Sequence, residues 1–229
     1  MNNSAVISVS DAIRSRRSHR HYRPDPIPGP VLDRLLELTL EAPSAWNFQG
    51  RSIVVASDRV IRSALEDATG GQPHPREAPV VLVFLAKTRA WKEDNADIFD
   101  AARRNRAWSE RFAAGSAESS RRFQEDLAER GLEREYAVKD AVIAASFAML
   151  AATELGLACS PMNGWNEAHV KEAIGIDDRD DIAVALLLPV GYAAEERRHP
   201  GRRPISSSVH YQQYKDTNTD SGTDITRRN

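Results

Sequence analysis

Between positions 16 and 22 the chain reads RRSHRHY, three arginines and two histidines within seven residues. Arginine forks meet the oxygens of a phosphate or carboxylate bidentately, and a phosphate monoester carries close to two negative charges. The cluster is therefore suited to holding an anion. The chain as a whole is not basic: 31 Lys and Arg stand against 33 Asp and Glu, for a formal charge of -2 and a pI near 6.3. A nucleic-acid binder carries a domain-wide basic excess, so nucleic acid is not the expected partner and the cluster needs a local one. The competing reading is a solvated helix end, where the macrodipole favours cations in any case.

Other chemistry is sparse. His19 and His21 lie two apart, but no nearby Asp, Glu or Cys completes a ligand set, so no metal site is expected and the two read as surface or hydrogen-bonded histidines. The one cysteine, Cys159, leaves no intrachain disulfide and reads as a small core residue. GxGxxG after a strand, GxxxxGK[ST], HExxH and GxSxG are all absent, which removes the main support for Rossmann, P-loop, zincin and α/β-hydrolase readings. No Asp, Glu or His stands in a motif that makes it an obligate acid or base, and no catalytic side chain is nominated.

The elements that must position the cluster follow from periodicity and punctuation. Ser10 and Asp11 suggest the start of a short helix whose C-terminal end runs into Arg16. Pro30 opens a second helix, Val31 to Glu41, with Leu32, Leu35, Leu36 and Leu40 on one face. SIVVAS and the runs VVLVFLA and IAVALLLPVGY read as strands, the latter two buried on both faces, and a helix spans Asp58 to about Thr69. Residues 87–135 crowd charges among Trp108, Phe112 and Phe123 and read as one or two weakly packed surface helices. Tyr136 to Leu155 is apolar nearly all round; its uncharged core, Ala141 to Thr153, falls short of a bilayer span and reads as a buried helix, not an anchor. The N-terminus lacks a basic n-region and an apolar h-region, so a cytoplasmic protein is expected, with no membrane partner. Beyond Pro204 periodicity is lost, and KDTNTDSGTDITRRN reads as a disordered tail. Helices and strands alternate irregularly, which predicts an α+β layered fold. The domain is set at 11–210, after an N-terminal extension over 1–10 and before a tail over 211–229.

AIRSRRSHRHYRPDPIP followed by LLELTLEAPSAWNFQ closely resembles the opening signature of the FMN-dependent nitroreductase family, an RRSxRxY segment, a proline pair and an APSxxNxQ loop at this spacing. GQPHPREAPVVLVF, GLACSPMNGW and LPVGYAAEERRHPGRRP extend the resemblance over most of the chain. It implies a three-layer α+β fold with a central, mostly antiparallel sheet flanked by helices, an intertwined homodimer, and FMN at the subunit interface. By the same resemblance Arg16, Arg17, Ser18 and Arg20 bind the ribityl phosphate and the flavin's polar edge, and Arg202 or Arg203 closes on that phosphate. Ser44 and Asn47 reach FMN from the partner subunit, Gln49 either does so or caps its own loop, and Gln72 hydrogen-bonds the flavin. Pro161, Met162, Asn163 and Gly164 form the loop over the ring. Two departures stand out: Gly50 and Arg51 where many members have Pro-Trp, and a second proline, Pro75, in the GQPHPREAP turn. The implied activity is ping-pong hydride transfer from NADH or NADPH through flavin N5 to an electron-poor small molecule such as a nitroaromatic or quinone, with residues 87–135 setting preference. Enone reduction, dehydrogenation or flavin fragmentation on the same fold, or FMN binding without catalysis, are the alternatives, because fold does not fix function.

Overall fold

β3 (Val80–Lys87) and β5 (Ile182–Ala193) carry uninterrupted apolar runs that only burial on both faces can satisfy, and they pair antiparallel at the middle of the sheet. The structure is a computed structural model and describes residues 7–214. The strand path is β1 (Tyr22–Arg23), β5, β3, β2 (Arg51–Ala56), and β4 (Ala158–Cys159) pairs with β5 beside β1; every strand pairing is antiparallel. The α+β expectation holds.

Alternation along β3 sorts the core into two layers. Val80, Leu82, Phe84 and Ala86 face one cluster with α2 (Gly29–Leu40) and α7 (Glu133–Glu154), while Val81, Val83 and Leu85 face another with α3 (Arg59–Ala68) and α8 (Glu167–Ala173). On β5 the alternation breaks once. The register slips between Phe84 and Leu85, and Ala185 and Leu186 fall in the same layer, as a bulge requires. The Glu167 carboxylate accepts from the Val184 amide there, at 3.0 Å.

α7 turns a stripe of alanines, Ala137, Ala141, Ala144, Ala145, Ala148, Ala151 and Ala152, onto the sheet and α2. Small side chains let the backbone come close. Among the described residues its other side is only partly covered: Ile143 and Phe147 are 38% and 39% exposed. By length and composition alone α7 could cross a bilayer, but its alanine stripe is packed in the core.

Several boundaries differ from the sequence reading. The N-cap of α1 (Val9–Ser15) is Ser8, whose hydroxyl accepts from the Asp11 amide at 3.1 Å, not Ser10. α7 starts before Tyr136, and β1, β4 and α4 (His74–Glu77) were not anticipated. α5 (Ala96–Arg104) and α6 (Glu110–Glu129) fill the predicted helical excursion. All these elements lie in a compact unit ending at Arg197; a second unit begins at Arg198, and its described residues include a 3-10 turn at Ile205–Ser207. The predicted tail lies largely outside the described residues.

Candidate functional site

The Arg16–Arg20 cluster is laid down by α1 and β4. The Arg16 amide closes α1 on the Ala12 carbonyl at 3.0 Å, the chain then extends, Ser18 bridges to Cys159, and the His19 amide donates to the Cys159 carbonyl at 3.2 Å. This places the cluster alongside the strand that leads directly into Pro161–Gly164. Met162 is pinned by its amide to the Leu187 carbonyl at 2.9 Å with its side chain in the core, whereas Asn163 and Gly164 are exposed. Its sequence neighbours aside, no atom of the described residues lies within 4 Å of where a Cβ on Gly164 would sit. The loop is tied to the end of α3 by Asn166, whose amide donates to the Ala68 carbonyl at 2.8 Å, and Gln72 follows α3 with its amide group donating to the Thr69 carbonyl at 3.1 Å. α4 joins the same region through Glu77, which pairs with His21 at 3.0 Å. Pro75 lies in the first turn of α4, where a missing N–H costs nothing.

Buried polar atoms without partners gather here. Among the described residues Arg16 Nη1, Arg17 Nε, His19 Nδ1 and His74 Nδ1 in α4 are shielded from solvent and have no hydrogen-bond partner; the two arginine atoms are donors, and the imidazole atoms donate or accept according to tautomer. Arg17 is oriented by two bonds from Nη1 to the carbonyls of Arg14 and Arg16, at 2.6 and 2.9 Å. Arg51 Nε and Nη1, beside the Ser44–Gln49 loop, are the other two such atoms among the described residues. Leaving buried polar atoms unpaired is costly, so both places could accept partners from outside the chain. Burial lowers the pKa of His19, with Glu195 opposing, and that of His74, with the Arg20 charge adding to the effect. Cys159 is buried and its thiol is pushed up to about 12, so it stays protonated as a core residue.

The Ser44–Gln49 loop is built differently. Trp46, Asn47 and Gln49 have φ of 54°, 56° and 51°, a left-handed conformation that non-glycine residues adopt only under constraint. The constraints are visible. Ser44 Oγ accepts from the Gln49 amide at 2.9 Å, and Asp140 of α7 accepts from the Ala45 amide at 3.0 Å. Beneath them Arg51, only 8% exposed, donates from Nη2 to the Leu40 and Ala42 carbonyls at 2.7 Å each, closing the C-terminal end of α2. Burial raises the Asp140 pKa, opposed by the Ala45 amide and the Arg51 charge. The Gly50-Arg51 departure has a steric side too: a Cβ on Gly50 would sit 2.8 Å from Ala90 Cβ.

The sheet separates these two places. Tyr22 of β1 aligns with Ala193, whereas Arg51 of β2 aligns through Ala86 with Ala183, at the other end of β5 and on the opposite edge. The ten-residue step from Ala183 to Ala193 alone is about 30 Å. Within one chain the cluster and the loop therefore lie toward opposite ends of the central strand.

Residues 13–192 match the family model described as the Nitroreductase family. The chain belongs to the nitroreductase family. It is thereby an oxidoreductase. A Thermus thermophilus protein named NADH dehydrogenase is 34% identical over 206 residues, covering 89% of this chain and 96% of the relative. A Bacillus subtilis protein named FMN reductase [NAD(P)H] is 26% identical, over 93% of this chain and 75% of the relative. An Exiguobacterium sibiricum protein described as a nitroreductase, solved in complex with FMN, has a TM-score of 0.81 at 19% identity, covering 90% of this chain and 98% of that one, which is a likeness of fold.

In this nitroreductase-family chain the excursion is organised by rings. Phe48 packs edge-on to Phe99 at 6.4 Å, Phe99 lies 5.6 Å from Trp108, and Trp108 meets Phe112 edge-on at 5.1 Å. Phe123 is not in this row; it packs on Tyr136 of α7 at 5.5 Å. Arg202 and Arg203 are exposed in the C-terminal unit, with Arg202 Nη1 donating to the Gly201 carbonyl at 2.7 Å. Sequence reasoning missed Asp140, Arg51 and His74. The available signal for Asp140 was its place as the last charge before the uncharged run Ala141 to Thr153.

Proposed function

We propose that the chain is an FMN-dependent NAD(P)H oxidoreductase, working in the cytoplasm as a homodimer that reduces electron-poor small molecules by a ping-pong cycle. The observation that carries this reading is the set of buried polar atoms on Arg16, Arg17 and His19, unpartnered among the described residues, beside the Pro161–Gly164 loop. A dianionic phosphate fits that set chemically, since each free N–H gains a charged acceptor. When bound, FMN supplies the hydride chemistry, taking hydride at N5 from NADH or NADPH and passing it to an acceptor such as a nitroaromatic or quinone.

The chain's own residues bind and orient. Arg16, Arg17, Ser18 and Arg20 hold the phosphate; Gln72 offers its exposed amide to the flavin edge; Pro161, Asn163, Gly164 and the backbone of Met162 border the ring, with Gly164 free of a side chain where the ligand passes. Arg202 or Arg203 is assigned to the phosphate by family resemblance alone. Ser44 and Asn47 serve the site of the partner subunit. Two observations favour that arrangement: the cluster and the loop lie toward opposite ends of β5, whose ten-residue step from Ala183 to Ala193 spans about 30 Å, and α7 leaves Ile143 and Phe147 partly exposed among the described residues.

The test is a visible absorption spectrum of the purified protein, followed by anaerobic addition of NADH and then NADPH. Oxidised flavin bands that bleach with either nucleotide are the expected result. A yellow protein bleached by neither would point to another donor or to binding without catalysis, and a colourless protein that does not take up added FMN would overturn the reading.

A further inference from the structure

We propose that the corner between α5 and α6 takes the 2′-phosphate of NADPH, with Arg104, Arg106 and Arg111 as its cations; this deepens the oxidoreductase reading, rests on it for the reaction served, and assigns NADPH over NADH as the donor. The two nucleotides differ only by that phosphate monoester, which carries close to two negative charges. Uncommitted arginines gathered at one place are what can tell them apart.

The charge at this corner is what remains after pairing. Between positions 101 and 117 stand four arginines and one glutamate. Arg103 takes that glutamate, Glu110, at 3.1 Å and also bonds Asp100, which ties the end of α5 to the start of α6. Farther along the chain Arg121, Arg122, Arg130 and Arg134 are each paired with a carboxylate. Arg104, Arg106 and Arg111 are exposed, and among the described residues their side chains have no ion pair or hydrogen bond. Arginine forks without a carboxylate of their own match a dianion.

The corner holds its shape at a conformational cost. α5 ends on Asn105, and the amides of Ala107 and Trp108 both return to the Ala102 carbonyl, at 2.9 and 3.3 Å. Arg106 therefore stands one residue past the cap with a φ of 56°, the left-handed position that glycine or asparagine ordinarily fills at a helix end. An arginine there is strained, and what it brings is a charge two residues from Arg104. Rings connect the corner to the Ser44–Gln49 loop: Trp108 packs on Phe99, and Phe99 on Phe48. Arg111 and Trp46 border the same opening. Since that loop is assigned to the partner's flavin, a nucleotide extending from the flavin along this side meets the three arginines.

The experiment uses the full chain as purified with its flavin. Calorimetry compares adenosine 2′,5′-bisphosphate with 5′-AMP, and kinetics give the ratio of kcat/KM for NADPH to that for NADH, in the parent, in the Arg104→Gln, Arg111→Gln double variant and in Arg106→Gly. The parent is expected to bind the bisphosphate about tenfold tighter than AMP and to favour NADPH, and the double variant to lose about tenfold of each preference. Arg106→Gly relieves the left-handed strain, so it should melt no lower than the parent while losing about threefold of each preference, a combination that a folding defect does not produce. Preferences within twofold of the parent in both variants would overturn the site, as would a parent that does not distinguish the bisphosphate from AMP, or a bisphosphate displaced equally well by inorganic phosphate. If no sample oxidises either nucleotide but the bisphosphate binds the parent and not the double variant, the phosphate site stands and the activity assigned above falls.

Discussion

α6 and α7 follow one another in the chain, are 20 and 22 residues long, and are helical for opposite reasons. α6 wears its stabilising contacts on its surface: Glu118 bonds both Arg121 and Arg122, Arg121 also reaches Glu125, and Arg130 pairs with Asp126, all at the three- and four-residue spacing that neighbours on a helix share. α7 has almost none of this and is held by an alanine stripe under the sheet, with Asp140 as its one polar contact to the Ser44–Gln49 loop. The difference separates frame from contents. A helix that depends on its burial cannot change sequence freely, whereas one that carries its own pairs can vary its other face, and that is where Arg111, Phe112 and Ser116 border a cavity.

The contrast can be tested by substitution. Ala148, with no exposed surface, has no room for extra atoms, so Ala148→Leu should cost about 1–3 kcal/mol by denaturant melting. An unchanged midpoint would mean the α7 seam is loose and the comparison fails at its stronger end. Arg51→Ala should cost about 2 kcal/mol, because the Leu40 and Ala42 carbonyls lose a charged donor. It should also release the loop, read as a change in Trp46 fluorescence that Ala148→Leu does not produce.

The anion-side pole differs again, and its signature is pH. Burial, with the Arg20 charge adding to it and Glu77 opposing among the nearby His21 and Arg197, holds the His74 pKa below its ordinary 6.5. A folded-state pKa below the unfolded value means the unfolded chain binds the proton first. Stability from this group is therefore complete above about pH 6.5 and is lost as pH falls toward the folded-state pKa. The melting temperature should drop between pH 7 and pH 5, and drop less in His74→Gln; equal slopes would remove His74 from the account. The smallest effect belongs to α6. Glu118→Gln at moderate salt should leave the midpoint where it is, since exposed pairs are screened. A clear loss there would erase the distinction between the two helices.

Much of this was legible before any coordinates. β3 and β5 are readable because long β-branched and leucine runs have no other way to hide, and α7 because no polar face breaks it. β1 and β4, two residues each, and the four-residue α4 have no period to show and exist only because β5 and His21 meet them. Arg16, Arg17, Ser18 and Arg20 are visible as a charge cluster. Arg51 is not, because an arginine at the head of a strand looks like any solvated cation until α2 ends on top of it.

By itself, then, the amino-acid order determined the layered α+β class, the strands of the central sheet, the anion-seeking segment and the family, since each is written in local pattern or in consecutive residues. The tertiary structure alone decided which donors are left unpartnered, which charges are buried, and that the RRSHR segment and the Ser44–Gln49 loop stand at opposite ends of the sheet. Burial and separation are properties of residues distant in sequence brought near or held apart, and no window along the chain contains them.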